Sequence, residues 1–296
     1  MNKAAASSTV ESSHTTLDQP RQTAAFWFTS NFLPGPLLIG FLGPLQGLTL
    51  WQSLLAIIPV VLLASLAPAR FRDRSISRLL LPIGLVLHMI HLEILTRMAQ
   101  HLLPGMPVNW AVLALVGAAL LAFLGPPLLY RWQALLALPS ILVFALLTLG
   151  AVVQLEVDSA PRHLDFSWPA FGLLALLAGL WQLALTPLAN TGTPSYAGMT
   201  VPALWMMSLG ALMASAIPAV DTVTGLKMLG EWFIPGLGTT ALLLLALSMI
   251  GSMGLYGHAQ FFAFSDTPLK AKGRLLLLAA FMVLVVMWNP LHFTLY

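Results

Sequence analysis

A chain of 296 residues with 58% hydrophobic and only 8% charged residues cannot cover a water-facing surface, since a soluble domain carries about 25% charged residues. The formal net charge of +3 is spread between apolar runs and not gathered into a basic patch, which excludes nucleic acid as a partner. The absence of cysteine excludes disulfides, thiolate metal sites and cysteine nucleophiles.

The mean hydropathy of +0.88 makes the lipid bilayer the natural solvent. Backbone groups there must be satisfied internally, by helices or a closed barrel. The apolar runs are long and do not alternate, so helices are expected. Residues 1–24, rich in Ser, Thr, Ala and Gln, read as a disordered cytoplasmic tail. Residues 25–296 read as a single transmembrane domain. About 20 apolar residues cross a bilayer. Nine spans are therefore predicted near 26–48, 50–68, 79–103, 109–126, 132–153, 168–188, 201–219, 232–263 and 275–294. With the N-terminus inside, strict alternation places Lys3, Arg21, Arg70, Arg72, Arg74, Arg78, Arg131, Lys270, Lys272 and Arg274 on the cytoplasmic side. Only Arg162 and Lys227 fall outside, the bias expected of a multi-pass protein.

The first span runs Phe-Trp-Phe-Thr-Ser-Asn-Phe-Leu-Pro-Gly-Pro from Phe26 to Pro36 and continues through Gly40 and Gly43. Proline removes a helix hydrogen bond and clashes with the preceding turn. Prolines on both sides of Gly35 predict a break in mid-membrane. Asn31, just before it, offers an amide either to a heterocycle edge or to the broken helix as a cap.

The third span holds His88, His91, Glu93, Arg97 and His101. Glu93, Arg97 and His101 stack on one helical face, with the two other histidines roughly opposite. Ionisable groups in a membrane are costly and mark pathways or proton relays by default. Glu93 is therefore a candidate proton-coupling carboxylate, or else half of an i,i+4 ion pair with Arg97 that neutralises itself. Zinc on His88, His91 and Glu93 is disfavoured, because the carboxylate points away from the histidines.

The sixth span passes Gly179, Trp181 and Gln182, meets Pro187 and frays through Asn190 to Pro194. Trp181 can stack on a flat ring or fill the core, and Gln182 can bond a solute or a neighbouring helix. Spans one and six enter from opposite sides. Paired Gly/Pro interruptions in such positions point to a transporter binding site at the membrane midplane. On the eighth span Ser248 and Ser252 share a face and offer hydroxyls to Na⁺, or room for close helix packing. Phosphate loops, nucleophile elbows and paired catalytic carboxylates are absent from the sequence. No enzyme activity or cofactor is expected.

Trp27, Phe28 and Asn31, then Gly40, Leu42, Gly43, Pro44, Gly47 and Leu48, then Pro68, Ala69 and Ser77-Arg78 form an ordered series. It continues with Gly179, Trp181, Ala189-Asn190, Ser195 to Gly198, Pro202, Gly210 and Ala246 to Tyr256. In order and spacing it resembles the nucleobase–cation symporter family, in its purine–cytosine permease branch, from about residue 26 to 290. The resemblance implies two inverted five-helix repeats, about 26–153 and 167–296, the second incomplete. It also implies a small N-heterocyclic solute and H⁺ or Na⁺, bound between the broken helices and spans three and eight. Asn31, Gly35, Gly40, His88, Trp181, Gln182 and Asn190 are the candidate solute-binding residues, and Glu93, Ser248 and Ser252 the candidate cation-coupling residues. The protein is expected in a bacterial cytoplasmic membrane.

The departures are specific. The stretch Gly84 to Met89 lacks the family's Trp and Gln, Asn190-Thr191 replaces Asp-Tyr, and Gly251, Ser252 and Gly254 fall near the family's asparagines. The sequence ends after the ninth span. The alternative is therefore a transport-inactive relative serving as a structural or regulatory membrane subunit. A homo-oligomer or a membrane partner would cover the open face.

Overall fold

The computed structural model describes residues 27–70, 74–104, 113–114, 116–118, 120–121, 125–157, 166–186, 188, 195–217 and 221–263. The tail 1–24, most of the outer loop, Asn190 and the expected ninth span lie outside the described residues. Among the described residues the secondary structure is helical with no strand. The protein is an all-α integral membrane protein. Leu50–Pro68, Pro127–Leu155, Tyr196–Ala216 and Leu237–Gly257 are long and apolar enough to cross a membrane.

The first span is interrupted. Residues 27–31 form a short helix, α1, two residues bend, and α2 restarts as Pro34–Leu45. The break sits at Phe32 and Leu33, just ahead of the expected Gly35. The reason lies in the prolines. Pro34 and Pro36 occupy the first turn of α2, where a missing N–H costs nothing. Proline here starts the second half-helix as much as it ends the first. Residues 29–37 are all buried, so the break lies inside the protein, where irregular backbone in a membrane has to be.

After a turn at Gly47, with φ of +89°, α3 (Leu50–Ala64) begins with a capping box. Gln52 N–H donates to Thr49 Oγ1 at 3.2 Å, and Thr49 N–H donates to Gln52 Oε1 at 2.8 Å. The short α4 (Leu66–Arg70) leads to the long α5 (Arg74–Leu102). Helical residues between 113 and 121 mark α6. Then come α7 (Pro126–Val157), α8 (Trp168–Ala184), α9 (Tyr196–Ala216), α10 (Thr222–Phe233) and α11 (Leu237–Ala263). Serine side chains cap α8 and α9, through Ser167 to Ala170 N–H and Ser195 to Gly198 N–H.

Several boundaries differ from expectation. Helices α5, α7 and α9 start at Arg74, Pro126 and Tyr196, ahead of the expected 79, 132 and 201. The eighth span, expected from 232, begins at Leu237, and residues 222–233, most of them expected to lie between spans, form α10; a turn in which Gly236 has φ of +84° joins the two helices.

Between helices in lipid the attraction comes from close contact and hydrogen bonds, because lipid tails are as apolar as the side chains. The contacts follow that rule. A Cβ on Gly40 of α2 would overlap the backbone carbonyl of Met207 in α9, and a Cβ on Gly210 would overlap the carbonyl of Leu37. These two helices therefore meet backbone to backbone. Helix α7 is tied to α11 by Trp132 Nε1–H to Leu247 O at 3.1 Å and by Gln133 Nε2–H to Ser248 O at 3.2 Å. Helix α7 meets α9 through Trp205 Nε1–H to Thr148 Oγ1 at 2.9 Å. The span of α11 is 72% buried and that of α7 only 28%, so α11 is central and α7 peripheral. Leucines 135, 138, 142 and 149 of α7 are exposed on the outer surface, as residues facing lipid should be.

Candidate functional site at the interrupted helix

The site is built where α1 breaks. Asn31, at the end of α1, is fully buried. Its Oδ1 accepts Trp181 Nε1–H at 3.0 Å and Gln182 Nε2–H at 3.4 Å. An indole N–H can only donate, which fixes the amide oxygen toward Trp181. Nδ2 then points elsewhere, and it has no hydrogen-bond partner among the described residues. Trp181 and Gln182 lie in the last turn of α8, which ends at Ala184, ahead of Pro187. Ser65, at the end of α3, bonds Val61 O at 2.7 Å and reaches Gln182 Oε1 at 3.3 Å. Three helix ends are thus joined through buried side chains. Interhelical bonds of this kind are worth about 0.6–2 kcal/mol each in a membrane.

Gly35 makes room for this arrangement. A Cβ there would overlap the Trp181 ring and come within 2.8 Å of His91 Nε2. His91, on α5, is 4% exposed. Its ring meets Trp181 edge to face, with centroids 5.2 Å apart and planes at 78°.

Beside these rings lies a cavity walled by Leu33, Leu87 and His91, by Trp181, Ala184 and Leu185, and by Ser252 and Tyr256. It touches the first, third, sixth and eighth predicted spans. The space is narrow, leaving about 10 Å³ for the centre of a water-sized sphere, room for about one water. Among the described residues the wall carries no carboxylate, lysine or arginine. Its polar groups are an imidazole, two hydroxyls and an indole already held by Asn31. A neutral, flat solute suits such a wall better than an ion does.

The expected site residues divide accordingly. The structure brings Asn31, Gly35, Trp181 and Gln182 together, and Ser252 lines the cavity next to them. Gly40 stands apart, because its missing side chain serves the contact with α9. Ser248 is buried in α11 and is not part of the wall; its carbonyl accepts from Gln133. Glu93 also lies outside the cavity. It faces the exposed side of α5, where Arg97 Nε–H donates to Glu93 Oε1 at 3.1 Å, and its side chain is 46% exposed. His88 lies in α5, but its side chain is outside the described residues. Among the described residues no cluster of three or more His, Asp or Glu could hold a metal.

His88 is the histidine expected at the solute; among the described residues the wall holds His91, which was not among the expected site residues. Its four-residue spacing from Leu87 was the available signal, since both lie on one face. Ser65 gave no signal at all.

The fold and cavity define a multi-pass helical membrane protein with a broken first helix. No family model matches the sequence. The chain is similar to the "Putative purine-cytosine permease YxlA" of Bacillus subtilis (strain 168), at 25% identity over 281 residues. The match covers 81% of this chain and 60% of that protein. The chain thus spans less than two thirds of the length of the relative it matches.

Proposed function

We propose that the protein is a secondary transporter that takes up a nucleobase or similar small N-heterocycle together with H⁺, on a fold of inverted five-helix repeats. The observation that carries this reading is the uncharged cavity at the α1 break, with Trp181 held in its wall by Asn31. A flat ring stacked on Trp181 would leave its edge to His91, Ser252 and Tyr256. Similarity to a protein described as a purine–cytosine permease supports the same class of solute. The narrowness of the cavity means that it must widen to admit a ring.

Uptake of radiolabelled cytosine and adenine into proteoliposomes tests the proposal, with a pH gradient and, separately, a Na⁺ gradient. Base–aromatic stacking is worth about 1–3 kcal/mol, so Trp181→Ala should weaken uptake by about five- to 150-fold. If the wild-type chain neither binds nor accumulates any nucleobase supplied, the transport reading is wrong. Co-purification of a stable membrane partner would then favour the structural-subunit alternative.

A further inference from the structure

We propose that His91, and not Glu93, is the group that takes up and releases the co-transported proton. The inference rests on the transporter reading above and assigns a residue that reading leaves open. A group that touches the solute site couples directly, because the occupancy of one is felt by the other. Glu93 has no such contact: it lies on the exposed side of α5, already paired with Arg97. His91 has one. It is buried in the cavity wall, against Trp181 and Gly35.

Imidazole is also the side chain whose ordinary titration spans the pH range of a cell. Of the eight described wall residues only His91 and Tyr256 are titratable, and an ordinary phenol keeps its proton near neutral pH. Among the described side chains, the helices packed against α5 offer no other titratable group to the cavity. Helices α2 and α8 present Gly35 and Trp181, and α11 presents Ser252 and Tyr256. On α10, Asp221 and Glu231 are used in capping bonds at the helix ends. Lys227 is half-buried with its backbone beside Gly238. None of the three lines the cavity.

The step is a simple proton transfer. A ring nitrogen of neutral His91 takes H⁺ from the more acidic side, giving imidazolium, and returns it on the other side. The imidazolium centroid would lie 5.2 Å from that of the Trp181 ring, so the new charge is in contact range of the indole. Trp181 in turn donates to Asn31 at the break in α1. Protonation therefore acts directly on the ring that would hold the solute.

The test uses the full chain in proteoliposomes loaded with buffer one pH unit above the outside. One proton per solute then drives at most about tenfold accumulation. Wild-type protein and Glu93→Gln should both accumulate labelled cytosine or adenine. His91→Gln keeps an amide of similar reach but cannot titrate. It should fall to simple equilibration, an accumulation ratio of one. Whatever exchange of labelled for unlabelled base it retains should be the same at about pH 6 and about pH 8, whereas that of the wild type should change. A monodisperse elution in detergent, like that of the wild type, shows that the variant is folded. Retained pH-driven accumulation in His91→Gln, or its loss in Glu93→Gln alone, would overturn the assignment while leaving the transporter reading intact. An inactive wild type in both assays would remove both.

Discussion

A methyl group on residue 35 would have to share space with the Trp181 indole and press on His91. Gly35→Ala should therefore displace the tryptophan and lower nucleobase uptake at least tenfold. Gly172→Ala, on the outer side of α8 with nothing within 4 Å of the added carbon, is the matched control and should leave uptake unchanged. Asn31→Ala leaves the Trp181 and Gln182 donors buried without their acceptor, a cost of about 1–3 kcal/mol. Thermal unfolding in detergent should show that loss, and Asn31→Asp, which keeps an acceptor oxygen, should restore part of it. The link between Asn31 and Trp181 was partly legible, because both stand next to helix breakers. The positions of Glu93 and His91, one outside and one in the cavity wall, were not. Helical periodicity tells which residues share a face but not which face turns inward. The rule that charged groups face the interior misleads here, because an ion pair four residues apart can satisfy itself on the outside.

At the scale of elements, the join between α10 and α11 shows what residue pattern conceals. Hydropathy predicts one long element, whereas Pro235 and Gly236 permit a turn. Glu231 fixes that turn by accepting Gly236 N–H at 2.8 Å and the Thr239 hydroxyl at 2.9 Å. These bonds, the Gly236 N–H foremost, hold its carboxyl below the usual carboxylate range. A lowered folded value means the stabilisation is present above the ordinary carboxylate pKa and fades as pH falls through the lowered one. Hydrogen exchange at residues 234–240, corrected for intrinsic rate, should therefore speed up on acidification in the wild type. In Glu231→Gln that acid-dependent step should be absent; a step of equal size would show that another group is responsible. The caps at Thr49, Ser167 and Ser195 are polar residues ahead of apolar runs, a signal that sequence carries directly.

For the molecule as a whole, composition alone gave the solvent and the helical class, because too few charges remain to cover a wet surface. It could not give the width of the cavity, which depends on how four helices lean together. Since that space admits only about one water, solute entry demands a second, wider arrangement. The natural lack of cysteine makes this easy to probe. Ser252→Cys would carry the chain's sole thiol. A membrane-impermeant maleimide should label it slowly at rest, and saturating cytosine or adenine should change that rate several-fold if the ring occupies the space. An unchanged rate would mean that nucleobases do not reach α11.

The zero-clearance crossing at Gly40 and Gly210 limits how such widening can happen. Two rods whose main chains touch cannot slide or roll past each other without first separating. Pro34–Leu45 and Tyr196–Ala216 must then travel as a single lever, and the bend at Phe32 and Leu33 is the free joint beside it. Spin labels placed across that pair should report one fixed distance with and without nucleobase, while labels spanning the joint should report two.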